Sequence, residues 1–240
     1  MIHVGIIETG HPAEAIVARY GSYPHMFRDY FSARNDMDFY SFSVLENQPL
    51  PSAKKCDAWL ITGSAAAAYD EHVWLPPLRE FVRNAISSNH PILGICFGHQ
   101  VMAQAMGGVV QKSVKGRGIG VHQYDLTPEG EALLPGKHQI NLIAAHEDQV
   151  VTPAPEGRLL VTSPFCTYAG FAYGTSALSL QGHPEFSPDY ERDLIKQWQI
   201  RSPTDEATVE QAMKTLDTMK TDSKSIAPVL GKFLARETAI

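Results

Sequence analysis

One short segment limits the possible folds of this chain more than any other. Residues 91–108 read PILGICFGHQVMAQAMGG. The first five are mostly branched and apolar, which is typical of a strand buried on both faces of a sheet. After Cys96, apolar residues recur at helical spacing until Gly107 and Gly108, which favour the end of a helix. A buried strand that leads at once into a helix predicts an α/β chain with Cys96 at the turn between them.

The rest of the sequence alternates in the same way before residue 109 and changes character after it. Further strands are predicted at residues 3–7, 39–45 and 58–62, and a helix at residues 75–86. Beyond these, strands are predicted at residues 109–111, 120–126, 139–145, 159–163 and 177–181. Helical spacing returns at residues 189–198, 209–219 and 226–234. This order predicts a mostly parallel central sheet with right-handed crossovers through helices.

The glycines around Cys96 indicate a sharp turn. Gly94 and Gly98 stand two residues before and two residues after the cysteine. In a nucleophile elbow, the strained turn crowds these positions against neighbouring backbone, so a Cβ atom there would clash. The start of a helix also offers free N–H groups and partial positive charge, which favour a thiolate over a thiol. Cys96 is therefore a candidate nucleophile, and the N–H of Phe97 is a candidate oxyanion donor.

A second polar motif follows the last predicted strand. Residues 181–186 read QGHPEF, and His183 and Glu185 project to the same side if this segment is extended. A thiol nucleophile needs a base that takes its proton and later protonates the leaving amine, and histidine suits this role near neutral pH. Glu185 would hold His183 in the right tautomer. Each motif alone also fits an inert core cysteine or a solvated His–Glu pair, but together they indicate a cysteine-dependent site.

Composition and charge exclude several other classes. Hydrophobic residues make up 44% and charged residues 19% of the 240 residues, which is ordinary for a globular domain. The net charge is −6 and basic residues form no large cluster, so nucleic acid is not an expected partner.

No apolar run is long enough to span a membrane, and the N-terminus lacks a signal-peptide pattern. Three cysteines without framework spacing indicate a reducing compartment, hence a cytoplasmic location. The chain lacks the HExxH and CxxC motifs, so no metal is expected.

The two motifs together resemble those of a known family. LGICFGHQ (residues 93–100) followed by QGHPEF (residues 181–186) is similar to the pair found in class I glutamine amidotransferases, above all the GMP-synthase-like group that includes plant γ-glutamyl peptidases. The resemblance spans roughly residues 1–200. It implies a flavodoxin-like three-layer α/β sandwich with a mostly parallel central sheet and a nucleophile elbow. Residues 201–240 would then be a helical C-terminal extension packed on this domain.

The resemblance also assigns roles to single residues. The positions matched to the family's catalytic, oxyanion and substrate-binding residues are, in that order, Cys96, His183 and Glu185; Gly63 and Phe97; and Gln100, His146 and Asp148. Two departures stand out. The turn after Gly63 reads Ser-Ala-Ala where many members have further Gly and Pro. Glu147 stands where glutaminase domains of GMP synthetases carry a small residue, and this extra carboxylate is expected to alter which α-substituent is accepted.

The implied function is hydrolysis of the side-chain amide of glutamine, or of a γ-glutamyl amide, through a γ-glutamyl thioester on Cys96 and without a cofactor. The sequence has no P-loop motif. An amidotransferase of this kind would therefore deliver ammonia to a separate synthetase subunit. Two alternatives stay open, a stand-alone γ-glutamyl peptidase and a regulatory or binding protein that retains the fold.

Overall fold

A computed structural model describes residues 1–46 and 49–238. The strands are β1 (Ile2–Glu8), β2 (Met37–Ser43), β3 (Ala58–Ile61), β4 (Ile92–Ile95), β5 (Val109–Lys112), β6 (Gly118–Leu126), β7 (Gln139–His146), β8 (Asp148–Thr152), β9 (Gly157–Thr162), β10 (Gly170–Tyr173) and β11 (Ala177–Leu180). The helices are α1 (Glu14–Tyr20), α2 (Tyr23–Tyr30), α3 (Leu75–Ser87), α4 (Phe97–Ala105), α5 (Pro128–Leu133), α6 (Pro188–Arg201), α7 (Glu206–Thr218) and α8 (Ser223–Leu234).

A mixed sheet forms the centre of the molecule. In the described part of the chain it has nine strands in the order β2-β1-β3-β4-β11-β10-β9-β6-β7. The first five of these are parallel to their neighbours, and the pairings from β11 to β7 are antiparallel. The parallel half has the 2-1-3-4-5 order of flavodoxin-like folds, with β11 in the fifth position. The small β5–β8 ribbon stands apart from it.

Helices cover both faces of the parallel half. Successive residues of its strands point to opposite faces, so apolar residues on both faces are available to pack against helices. Ile6 and Leu60 join a core with helices α2 and α8 on one face, whereas Ile7 and Trp59 join a core with α3 and α4 on the other. The strands are therefore buried on both faces, as their continuous apolar runs predict. The predicted three-layer α/β fold is confirmed, with the antiparallel strands as an addition at one edge.

The last two helices pack on the sheet. Leu216 of α7 lies in a core shared with β6 and α6, and Leu230 and Phe233 of α8 lie in the core under α2. The linker between the helices is tied to β7, since Asp222 N–H donates to the Asn141 carbonyl and the Asn141 N–H donates to the Asp222 carboxylate, both at 2.8 Å. The division into residues 1–200 and 201–240 stays a prediction, and its final residues 239–240 lie outside the described part.

Among the described residues, no helix combines the length and the apolar character that crossing a membrane requires.

Candidate active site

Cys96 stands in a sharp turn between β4 and α4. Its backbone has φ 53° and ψ −102°, which is a strained conformation for a residue with a Cβ atom. The turn is held on both sides, because the Cys96 N–H donates to the Leu180 carbonyl of β11 at 2.8 Å and the Gln100 N–H donates to the Cys96 carbonyl at 3.1 Å. The strand–turn–helix geometry of the predicted elbow is therefore present, and it points the thiol at the carboxyl edge of the sheet.

The flanking glycines meet the steric demand that the sequence predicts. A Cβ atom on Gly94 would lie 2.6 Å from the carbonyl carbon of Gly98. A Cβ atom on Gly98 would lie 2.5 Å from the carbonyl oxygen of Ile61 in β3. Both separations are far below van der Waals contact, and the obstructing atoms are backbone. The elbow can form only because both positions lack a side chain.

His183 and Glu185 form a buried pair beside the thiol. The Nδ1 of His183 lies 2.7 Å from the Oε1 of Glu185, and the two side chains are 3% and 0% exposed. The His183 N–H donates to the Ile143 carbonyl of β7 at 2.8 Å, and the Phe186 ring stacks on the imidazole with 3.9 Å between centroids. These contacts fix both the backbone and the ring plane. Because Nδ1 faces the carboxylate, Nε2 is free to face the sulfur.

The charge state of His183 follows from its neighbours. Burial alone would lower the pKa of this imidazole. The Glu185 carboxylate and the Cys96 thiolate favour the charged ring more strongly, so they raise the pKa of His183 well above its ordinary value of 6.5. The structure therefore favours the imidazolium form of His183, whose ring lies between Glu185 and Cys96.

Gly63 completes the inner part of the site. A Cβ atom placed on it would lie 3.0 Å from Cε1 of His183 and 3.8 Å from Cβ of Cys96, so this backbone passes directly beside both residues. Its carbonyl accepts hydrogen bonds from the hydroxyls of Thr9 at 3.1 Å and Thr62 at 3.0 Å. Within the ranges 1–46 and 49–238, the Gly63 N–H has no acceptor. Phe97 is the first residue of α4, and its N–H likewise lacks an intrahelical partner.

One cavity of about 600 Å³ connects most of the predicted site residues. Those that line it are Gly63, Cys96, Gln100, His146, Asp148 and His183. Glu185 lies behind His183, and Phe97 follows the cysteine in the chain. The structure thus brings all eight predicted residues to one place, although they come from four separate segments of the sequence.

His146 and Asp148 lie at the turn between β7 and β8. The Nδ1 of His146 lies 3.1 Å from the Asp148 carbonyl, which can only accept, so Nδ1 carries the proton. Burial, with His122 nearby, lowers the pKa of His146 to about 3, and the ring is therefore neutral. Burial raises the pKa of the Asp148 carboxyl, which accepts a hydrogen bond from the Tyr69 hydroxyl at 3.1 Å. Each of the two side chains is thus held in place by a hydrogen bond.

The extra carboxylate of Glu147 lies on the rim of the cavity. It pairs with Lys112 at 3.1 Å and with Arg117 at 3.4 Å. The Arg117 guanidinium also packs over the ring of Trp198 on α6 at 4.9 Å. Two cations thus balance the negative charge that the sequence places here.

Gln181, to which neither motif assigns a role, also lies beside the thiol. Its side chain is buried, and its Nε2 lies 3.6 Å from the sulfur of Cys96. The sequence signal for it is the strand period of two, because Gln181, His183 and Glu185 alternate in an extended segment and so face the same way.

No group of three or more His, Cys, Asp or Glu side chains suited to a metal ion occurs in the described part of the chain.

Comparisons with known proteins agree with the two motifs. A family model described as glutamine amidotransferase class-I matches residues 16–201. A glutamine amidotransferase-like protein of Schizosaccharomyces pombe is 30% identical over 247 residues, which cover 97% of this chain and 98% of the relative. Gamma-glutamyl peptidase 4 of Arabidopsis thaliana is 26% identical, with 92% of this chain and 90% of the relative covered. The crystal structure of a glutamine amidotransferase from Thermotoga maritima has a TM-score of 0.75 at 19% identity, covers 98% of each chain, and thus shares the fold.

Proposed function

Because the chain belongs to the class I glutamine amidotransferase family, we propose that it hydrolyses the side-chain amide of glutamine, or of another γ-glutamyl compound, through a thioester on Cys96. A single observation carries the proposal. The thiol of a strained strand–helix turn lines the same cavity as a histidine whose other ring nitrogen is paired with a buried carboxylate. Strain and buried ionic pairs concentrate where chemistry needs them.

In the proposed mechanism, the Cys96 thiolate attacks the amide carbon while its proton resides on His183. The N–H groups of Gly63 and Phe97 stabilise the oxyanion. The C–N bond then breaks as His183 protonates the departing nitrogen, which leaves a γ-glutamyl thioester. His183 next takes a proton from water, the hydroxide attacks the thioester, and glutamate leaves as the sulfur is regenerated. Glu185 keeps His183 oriented throughout.

The remaining matched residues would bind the part of the substrate that does not react. Gln100, His146 and Asp148 line the cavity, and they offer one amide, one neutral imidazole and one carboxylate. An ammonium group of a glutamyl substrate would complement the carboxylate of Asp148.

A second candidate, a stand-alone γ-glutamyl peptidase, is favoured by the extent of the cavity. It continues past the thiol to Trp198 and Arg201 on α6. Pockets of about 300–1,000 Å³ typically enclose drug-sized ligands, so this one has room for a leaving group larger than ammonia. The 26% sequence identity to Gamma-glutamyl peptidase 4 also supports the peptidase candidate. Transfer of ammonia to a synthetase subunit and a non-catalytic binding role are the competing proposals.

The test is glutamate release from glutamine and, side by side, from γ-glutamyl dipeptides and glutathione conjugates. Wild type is compared with Cys96→Ser and with Cys56→Ser, which alters another buried thiol remote from the cavity. Fast turnover of peptides that depends on Cys96 and not on Cys56 would identify a peptidase. Weak turnover of glutamine alone would identify an amidotransferase subunit. Turnover that survives Cys96→Ser, or its absence with every substrate, would contradict the proposal.

A further inference from the structure

Three buried side chains form a continuous hydrogen-bonded line that ends on the sulfur of Cys96. The Nε2 of Gln100 lies 2.9 Å from the backbone carbonyl of Asp148 and 3.2 Å from the Oε1 of Gln181. The Nε2 of Gln181 lies 3.6 Å from the Cys96 sulfur. Gln181 is 0% exposed and Gln100 is 3% exposed, so bulk water does not compete for these contacts.

The direction of this line is set by its first member. A backbone carbonyl can only accept, so the end of the Gln100 amide that faces Asp148 must be its NH₂ group. The second hydrogen of that group then points to Gln181, which must answer with its oxygen. The NH₂ group of Gln181 is therefore the end that faces the sulfur. An amide flip of either glutamine would place two donors or two acceptors against each other in a buried site.

The backbone of Gln181 is fixed as well. Its N–H donates to the Ala169 carbonyl at 2.8 Å, directly after β11, the strand that neighbours β4. The Cys96 N–H is bonded to Leu180, the preceding residue. The donor and the sulfur are thus carried on two adjacent, mutually bonded strand ends.

We propose that Gln181 is a positioning residue that donates a hydrogen bond to the Cys96 thiolate, with its amide held in the donating orientation by Gln100. Because the NH₂ group of Gln181 can only donate, the sulfur of Cys96 must accept, and a thiolate is a far better acceptor than a thiol. Together with His183, this bond restricts the sulfur to one rotamer. The same arrangement engages both hydrogens of the Gln100 amide, which leaves its oxygen as the group that can accept a hydrogen bond from a substrate N–H.

The test measures the thiol itself and needs no substrate. The rate of Cys96 alkylation by iodoacetamide is followed against pH by peptide mass spectrometry, which separates Cys96 from the other cysteines. In Gln181→Met, similar in length but without an N–H donor, the pH midpoint should rise by about 0.5–1 unit. Turnover should fall by about tenfold with KM little changed. Gln181→Glu, whose carboxylate repels the thiolate, should raise the midpoint further.

Gln149→Met is the matched control, because Gln149 is also buried and its Nε2 has no partner among the described residues. Its midpoint should equal that of wild type. An unshifted midpoint in folded Gln181→Met, or in folded Gln181→Glu if the first variant does not fold, would overturn the inference. The inference rests on the proposed nucleophile. A shifted midpoint without turnover of any γ-glutamyl compound would leave the hydrogen bond standing and remove the proposed reaction.

Discussion

At the scale of single residues, the site depends on side chains and backbone held in states that are costly elsewhere. The positive φ of Cys96 costs on the order of 1–3 kcal/mol, and two backbone hydrogen bonds keep it in place. His183 and Glu185 are buried as a pair, which is stable only because each supplies the other's partner. The site is thus preorganised by the packing around it rather than by its own preferences.

Removing the carboxylate of Glu185 should weaken turnover and change its pH dependence. Glu185→Ala should lower kcat/KM by roughly 100-fold, because the imidazole loses its orientation. Since the carboxylate raises the pKa of His183, its loss lowers that pKa, and the basic limb of the rate profile should move to lower pH by about 1–3 units. The measurement is kcat/KM against pH. Asp189→Ala, which removes an exposed carboxylate, should keep the wild-type profile, and an unmoved basic limb in Glu185→Ala would contradict the assignment.

A second buried acid, Glu191 of α6, makes stability depend on pH. Its side chain is 0% exposed, and its Oε1 accepts a hydrogen bond from the Gly120 N–H at 3.3 Å. Burial raises the pKa of Glu191 from its ordinary 4.5 to about 8. The folded protein therefore keeps a proton that the unfolded chain releases, so the free energy of unfolding falls as pH rises between these two values.

Glu191→Gln should abolish this dependence, because an amide accepts the same hydrogen bond and does not ionise. Relative to wild type, the free energy of unfolding of the variant should increase by about 3 kcal/mol between pH 5 and pH 8. Urea unfolding at the two pH values measures this difference. Parallel curves for the two proteins would show that Glu191 is ionised in the fold.

Only part of the site can be predicted from the sequence. Cys96, His183 and Glu185 are marked by their motifs, and the structure places them together as the resemblance implies. Gln181 was not singled out, because period two gives the side on which it lies but not its distance from a cysteine far away in sequence. The ion pairs of Glu147 with Lys112 and Arg117 are likewise formed by tertiary packing, so no local sequence pattern predicts them.

At the scale of elements, the elbow depends on how closely α4 approaches β3. Gly98→Ala tests this contact against helix propensity, since alanine is the better helix former by about 1 kcal/mol. Its Cβ would nevertheless lie 2.5 Å from the Ile61 carbonyl, so we expect a net loss of about 2–3 kcal/mol in the free energy of unfolding. Denaturant unfolding measures it. Gly136→Ala, at φ 82° with open space around it, should lose only about 1–2 kcal/mol. Stabilisation by Gly98→Ala would contradict the geometry.

Elements with a clear apolar pattern are predictable from the sequence, and several short elements without one are not. The strands of the parallel half and the helices α3, α6, α7 and α8 are found close to their predicted positions, because their apolar residues recur with a clear period. Helices α1, α2 and α5 and strands β8 and β10 were not predicted. These have at most eight residues, too few for a helical or strand period to be distinguished, whereas the equally short β3, β4 and β11 are marked by near-continuous apolar runs.

At the scale of the whole molecule, the C-terminal helices contribute to the main core. Phe233 of α8 is 2% exposed and packs in the same cluster as β1, β3 and β4. The tail is also joined to the body by ion pairing, since Glu237 lies 2.7 Å from Arg34. The sequence predicts the two helices from their apolar spacing, but not which face of the sheet they cover, because many surfaces would accept an amphipathic helix.

Phe233→Ala should therefore destabilise the entire domain. We expect the free energy of unfolding to fall by about 3–5 kcal/mol in a single cooperative transition. The adjacent exposed residue supplies the control, and Lys232→Ala should stay within about 0.5 kcal/mol of wild type. Urea unfolding followed by far- and near-ultraviolet circular dichroism measures both. A separate early transition in Phe233→Ala would show that the tail folds independently of the core.

Detection of the covalent intermediate would be the most direct evidence for the proposed thioester on Cys96. The protein is mixed with a γ-glutamyl substrate, quenched in acid within the first turnovers, and digested for peptide mass spectrometry. If catalysis passes through a thioester on Cys96, one γ-glutamyl group should be found on the peptide that contains Cys96, and none in Cys96→Ser. Release of glutamate with no adduct on Cys96, or with the adduct on another residue, would contradict this mechanism.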